Sequence, residues 1–570
     1  MQLTLLDWLV FCSYFLILAA LAWWVNLRQA KNSNDYFLAA NTMPVWLVAI
    51  SVLATSQSAA TFLGGPDMGF RGNLTYLASN IGAILAAFFV MKWLIPRYYA
   101  LKVTTVYELL EQRFNARAKN HAGKMYLFGR VFASGARLYM AALAVAMLVF
   151  NNIEATSIVV AVALLAIIGV LCTLVGGIRS VIYTDALQCA VYVSAALFVM
   201  VFLYQQLDLS LPTLVNALRY PPELDGSKLL LFDTRHDFSS TGVFTLWSAL
   251  TGFVLLNIAA FGLDQDMTQR VLTCKTPAQG ARALLTSALI VIPVMLVFIV
   301  IGFLLYIFYQ RPELYQSALL LNDTAQATST SIATPIQHAV LEERFQGEKI
   351  TVFMHYVLHE LPSGLRGLVV VGVIAAALST ITSGLNSMAS VLVADLYQPW
   401  RLQRIPTTPD RHFVRAGQWA MLGTALALSL MAILCYYWQQ YSDMPLLAFA
   451  LSVMVFSYSG LLGVFFTALF TQRGNSRSVT AALITGFLIT LFMQPYVINT
   501  VIQTLLQPLL AMFIPTATGL ASLNVDIGFT WQLCIGTVIA FLVCYSGKPA
   551  ATALPRGASR SHQHASDHAQ

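Results

Sequence analysis

Stretches of about 20 residues without a charged side chain recur from one end of this sequence to the other, and no feature constrains its fold more. Runs at 9–25, 155–178, 186–207, 242–263, 283–310, 367–394, 416–442, 444–472 and 527–547 hold no Asp, Glu, Lys or Arg. An α-helix needs roughly 20 apolar residues to cross the hydrocarbon core of a bilayer. Three further spans, at 43–66, 74–95 and 127–151, contain or border isolated charges. The charge-free stretch 478–525 is long enough for two spans, but Pro495, Pro508 and Pro515 favour one span and an apolar outer hairpin. The pattern predicts an all-α polytopic membrane protein of 13 spans, or 14 if that stretch crosses twice. Charged residues make up only 10% of the chain, against roughly 25% in soluble proteins. That excludes an ordinary soluble enzyme, and 34 Phe, 23 Tyr and 10 Trp exclude a disordered chain.

The first segment has neither a basic leading stretch nor a small-residue cleavage site, so it is read as a retained helix. Alternating spans then divide the connections into two sets. The segments 26–42, 96–125, 179, 264–282, 397–415, 472–477 and the tail carry 21 Lys and Arg, and the opposite set carries 8. Basic loops stay inside, so the N-terminus is expected outside and the C-terminus in the cytoplasm of a cell membrane. The net charge of +7 is thereby a topology signal spread over short loops, and a nucleic-acid partner is excluded. No obligate protein partner is implied. The seven Cys have no paired spacing. In the long acidic outer loop, His355 and His359 have the i, i+4 spacing of a metal pair but lack a third ligand, so they read as one face of a loop helix. No phosphate-binding loop, dinucleotide fingerprint, HExxH or GxSxG is present, so the chain is expected to be neither an ATP-driven pump nor an enzyme.

Polar residues inside spans then carry the information, because each needs a partner or a water-filled cavity. Ala54-Thr55-Ser56-Gln57-Ser58, followed by Gly64-Gly65-Pro66, interrupts the second segment. Broken helices in membranes are tolerated where they line a cavity. The ninth segment places five hydroxyls between 379 and 387. At ~100° per residue, Ala376, Ser379 and Ser383 share a face, with Thr380 and Thr382 on either side of Ser379. Ser379 thus has the geometry to join two oxygen sites of the kind that suit a hard monovalent cation. Hydroxyls bonding back to their own helix are the alternative. Asp185 follows the turn Gly176-Gly177-Ile178-Arg179 and lies about one turn into the next span.

The stretches AISVLATSQSAATFLGGP, GGIRSVIYTDALQ, LDQDMTQRVLTCK and AAALSTITSGLNSMASVLVADLY resemble the sodium:solute symporters, whose members carry sugars, proline, pantothenate, sialic acid and other small solutes. The resemblance covers about residues 5–475. It implies two inverted five-helix repeats, each opening with a broken helix, the second break falling near Gly262. The expected division is a peripheral helix and inner loop at 1–42, a first repeat at 43–206 and an outer loop at 207–241. A second repeat at 242–475, with the long outer loop 311–364, peripheral helices at 476–547 and a disordered tail at 548–570 follow. It also implies a sodium site from the carbonyls of Ala54, Gln57 and Ala376 with the hydroxyls of Ser379 and Thr380. A second sodium, bound in some members, would use Asp185, Ser379, Thr382 and Ser383. Solute contacts carried over by position are Ser56, Thr61 and Asn257. The aromatic cover of the sugar carriers is replaced by Ala260 and Phe261, and the aspartate of the proline carriers by Ser56. Arg137, inside the fourth segment, either clamps an anionic solute or snorkels to the interface. Asp264 and Asp266 either line an inner gate or sit solvated at the interface. The expected function is sodium-coupled import of a small polar solute by alternating access. A proton-coupled or uncoupled carrier on the same fold is the alternative, with a channel or sensor further off.

Overall fold

The computed structural model describes residues 3–27, 32–222, 226–315, 344–345, 348–439, 446–506 and 525–549. Residues 507–524, in the second half of the stretch 478–525 where an apolar outer hairpin is expected, and nearly all of the tail fall outside them.

Among the described residues the regular structure is helical apart from a two-residue antiparallel pairing of 344–345 with 348–349. Helix α1 spans Leu5–Asn26, capped by reciprocal bonds between Thr4 and Asp7. After a short helix, Ser33–Leu38, α2 (Val45–Ser56) and α3 (Ala59–Arg71) follow. Next come α4 (Thr75–Leu101), α5 (Ala116–Phe150), α6 (Ala155–Thr173) and α7 (Gly177–Leu207). The second half starts with α8 (Leu246–Leu263) and α9 (Gln265–Leu272). It continues through α10 (Pro277–Gln310), α11 (Leu365–Arg404), α12 (Asp410–Gln439) and α13 (Leu446–Phe470). Helices α14 (Ser476–Phe492) and α15 (Phe529–Tyr545) pack on α13. Among the described residues, nine helices are long and apolar enough to cross a membrane unaided. Each half therefore consists of a broken helix followed by four more. The third helix of each, α5 and α11, carries a π turn near its C-terminal end, at Ala146–Phe150 and Leu392–Tyr397.

Both breaks have a local cause. Helix α2 ends because Gln57 (φ −93°, ψ 136°) and Ser58 (φ −135°, ψ 173°) are extended. Helix α8 ends in a π turn, Ala259–Leu263, and Asp264 (φ −82°, ψ 119°) then caps α9 by accepting from the Asp266 N–H at 2.9 Å. The second break thus lies two residues beyond Gly262. Helix α7 begins at Gly177, earlier than the charge-free run suggested. A φ of +55° and the Tyr36 carbonyl, which would lie 2.2 Å from any Cβ there, leave room only for glycine. Asp185 is consequently about two turns inside α7 rather than one.

Helix α11 is buried along most of its length, against α7, α5 and α2. Helices α3 and α10 meet at Gly69 and Gly302, where a Cβ on Gly302 would stand 2.1 Å from the Pro66 carbonyl. Small residues let backbones approach closely where lipid offers no hydrophobic driving force. The outer ring shows the converse: Leu16 and Leu171 are 71% and 66% exposed, as suits side chains facing hydrocarbon. Asp7 accepts from the N–H groups of Gly364 and Gly367 at 2.7 and 2.8 Å. A carboxylate therefore sits at the N-terminus of α11, where the helix dipole favours it, and fixes the starts of α1 and α11 on one face. At the end of α3, Lys228 donates to the carbonyls of Gly69, Phe70 and Gly72, so the loop after α7 supplies the cap that the sequence of α3 lacks. His355 and His359 lie on a short helix, Val352–His359.

Candidate functional site

The two breaks face a common cavity of ≈ 150 Å³ between α2–α3, α4, α5, α8 and α10. Ser56, Gln57 and Thr61 line it from the first broken helix, Asn257 from the second and Arg137 from α5, with Tyr76 and Asn80 of α4. All four solute positions expected from sequence are brought together there. Ser56 donates to the Leu53 carbonyl at 2.7 Å and Asn257 Nδ2 to that of Phe253 at 2.8 Å. Each holds its side chain against its own helix. Asn257 keeps its amide oxygen, and Ser56 its lone pairs, for a ligand. Arg137 is the one charged residue on the described wall. Its Nη2 lies 3.0 Å from Met454 Sδ, its buried Nε has no partner, and it forms no ion pair among the described residues. Both Arg137 and the Met454 it meets line the cavity. Lys92, by contrast, is exposed and lies over the Trp93 ring at 4.9 Å.

Below the cavity, α2 packs on α11. A helix end leaves its last carbonyls without donors, and no hydrogen bond reaches the carbonyls of Ala54 or Gln57 among the described residues. Ala376, Ser379 and Thr380 are buried on α11, with Thr380 donating to the Ala376 carbonyl at 3.2 Å. Ser379 donates to Asp185 Oδ1 at 2.7 Å, so α7 and α11 bring two of the four second-site positions into direct contact. Thr382 bonds back to the Ser379 carbonyl at 3.2 Å. Ser383 turns instead to Asp266.

Beside these hydroxyls lies a charged cluster that sequence reasoning missed. Arg270 donates to Asp185 Oδ2 at 3.1 Å, to Asp266 Oδ1 at 2.9 Å and to Ser51 Oγ at 2.9 Å. Arg130 pairs with Asp264 at 3.0 Å and with Asp266, and Tyr458 donates to Asp264 at 2.6 Å. Asp185, Asp264, Asp266, Arg130 and Arg270 are each at most 4% exposed. Asp264 and Asp266 are therefore not solvated at an interface, because every residue of α9 is buried. The available signal was the motif LDQDMTQR itself, whose Asp266 and Arg270 are i, i+4, together with an arginine inside the fourth span. Three carboxylates against two guanidiniums leave the cluster one negative charge in excess, which favours a cation nearby.

The model of the sodium:solute symporter family matches residues 36–486, and this chain belongs to that family. It is similar to the sodium/sialic acid symporter SiaT of Proteus mirabilis (strain HI4320), at 25% identity over 81% of this chain and 84% of that protein. The sodium/sialic acid symporter NanT of Aliivibrio fischeri (strain ATCC 700601 / ES114) is 26% identical over 82% and 83%. The human sodium/iodide cotransporter is 25% identical over 85% and 69%. In fold, it matches the substrate-bound outward-open structure of a Na⁺-coupled sialic acid symporter with a TM-score of 0.71 at 21% identity, over 96% of this chain and 99% of that one. The protein is a multi-pass, sodium-coupled solute symporter and not an enzyme.

Proposed function

We propose that this symporter carries a small organic anion into the cell with one or two sodium ions, by alternating access. The observation that carries the reading is Arg137, a guanidinium without a carboxylate partner in a cavity between two broken helices. A planar, permanently charged donor suits a carboxylate. Several relatives are named for anions, among them sialic acid, iodide and monocarboxylates. Ser56, Thr61 and Asn257 orient the rest of the solute. Sodium takes the carbonyls of Ala54, Gln57 and Ala376 with Ser379 and Thr380, tying α2 to α11 and favouring the outward-open form. A second sodium takes Asp185, Ser379, Thr382 and Ser383, and the excess negative charge of the adjoining cluster supports it. The two repeats, 43–206 and 242–475, rock against each other around these sites, with the N-terminus outside and the C-terminus in the cytoplasm.

Stoichiometry follows from charge. One Na⁺ with a monoanion is electroneutral and gains nothing from the membrane potential. A second Na⁺ makes each cycle carry one positive charge inward, which gains about 2.3 kcal/mol per 100 mV, or roughly fifty-fold in attainable gradient.

Thermal unfolding of the purified protein with small carboxylates, amino acids and neutral sugars, each with and without Na⁺, tests the cargo. A carboxylate that stabilises only in sodium, and fails to do so in Arg137→Gln, is the expected result. Stabilisation by a neutral sugar alone, equal in Arg137→Gln, overturns the anion reading.

A further inference from the structure

A second groove lies away from the cavity, between the C-terminal end of α11 and the first turns of α12. It encloses ≈ 770 Å³ and is lined by Leu392, Leu396, Trp400, Arg415, Trp419 and Ala420. Its wall is apolar, and its rim is not. Tyr397 closes one side by a 2.7 Å hydrogen bond to His412, and Arg404 stacks over Trp400 at 4.2 Å. Residues 401–415 contain four arginines, Arg401, Arg404, Arg411 and Arg415, against a single acid, Asp410. None of the four forms an ion pair among the described residues, and Arg401 keeps a buried Nε without a partner. Trp400 and Trp419 are 45% and 74% exposed, and tryptophans of this kind sit at the level of lipid headgroups.

We infer that this groove binds an anionic phospholipid of the bilayer, its acyl chain along Leu392, Leu396 and Ala420 and its phosphate among Arg404, Arg411 and Arg415. An apolar slot open to lipid selects an acyl chain, and an uncompensated arginine rim selects a negative headgroup over a zwitterionic one. Each such arginine strengthens binding by about five-fold. The groove joins α11, which carries Ser379 and Thr380, to α12, so the lipid bridges the helix of the sodium site and its neighbour.

Native mass spectrometry of the delipidated full chain, with phosphatidylglycerol or phosphatidylcholine of identical acyl chains added, tests this. Phosphatidylglycerol is retained in preference, the preference falls about five-fold in Arg415→Gln and further in Arg404→Gln/Arg415→Gln, and Ala420→Phe, which fills the slot, abolishes it. Uptake of solute by the variants reports whether they fold. Equal retention of the two lipids, or unaltered preference in Arg404→Gln/Arg415→Gln, overturns the inference. So does stabilisation by glycerol 3-phosphate equal to that by the lipid, which marks a soluble-anion site. A lipid-independent dimer that Ala420→Phe dissociates marks a second copy of the chain as the occupant and overturns it too.

Discussion

Replacing Arg270 by methionine isolates the charge balance of the buried cluster. Arg270 is 1% exposed and donates to Asp185, Asp266 and Ser51. Its loss leaves three carboxylates facing Arg130 alone, so the formal excess rises from one negative charge to two. Breaking a buried pair by removing one partner costs about 3–5 kcal/mol, and Arg270→Met is expected in that range. Asp185→Asn moves the cluster the other way, to neutrality. Arg270 keeps Asp266, but Ser379 and Ser51 donate to different oxygens of Asp185 and the amide keeps only one acceptor oxygen, so one of these bonds is lost at a cost of about 1.5–3 kcal/mol. The double variant restores an excess of one, with Asp264 and Asp266 both still held by Arg130, and should be more stable than Arg270→Met alone. Denaturant titration of the detergent-solubilised protein, followed by tryptophan fluorescence, measures all three. Costs in the double variant that equal or exceed the sum of the single ones would refute the charge reasoning, as would an Arg270→Met no less stable than Asp185→Asn.

Other expectations are simpler to measure. Gly302→Ala puts a Cβ 2.1 Å from the Pro66 carbonyl and is expected to cost about 1–3 kcal/mol through overpacking. Gly423→Ala, with nothing within 4 Å, should gain up to about 1 kcal/mol from helix propensity; thermal unfolding of the pair checks the packing of α3 on α10. Arg137→Gln should raise the KM for solute about 10-fold or more, the loss of one charge-assisted contact, while leaving the sodium activation curve in place; a shifted sodium curve with unchanged KM would contradict the assignment. In Asp185→Asn the Hill coefficient for sodium should fall from near two towards one, and values near one in both proteins would remove the second ion.

What could be read from sequence follows the range of the forces involved. The first break was legible because Ser56-Gln57-Ser58 are adjacent in the chain and misfit a lipid-facing helix, whereas Gly64-Gly65-Pro66, read as part of the same interruption, lie inside α3. The second was placed within two residues, since Gly262 marks a close approach of α8 to α4 but the extended residue is Asp264. The hydroxyl face of α11 came directly from helical periodicity. The charged cluster did not, because Arg130 and Asp264 are 134 positions apart and only folding shows that one charge has its partner in the other half. For the same reason Asp264 and Asp266, near the end of an apolar run, looked like interface residues. The start of α7 was misjudged because a charge-free run reports where lipid begins, whereas the helix begins at the Gly177 turn. Arg137 stood open between two roles in the sequence, and its place on the cavity wall is what the anion proposal rests on.

Uptake into proteoliposomes under an imposed sodium gradient bears most directly on the account. With the carboxylate found by the thermal screen, inward Na⁺ should drive transient accumulation above the outside concentration. Replacing Na⁺ by choline should abolish it, and Ser379→Ala and Thr380→Ala should each weaken the apparent sodium affinity. Accumulation of that solute at the same rate in choline as in sodium, or driven by a pH gradient alone, would contradict a sodium site built from the break of α2 and the hydroxyls of α11.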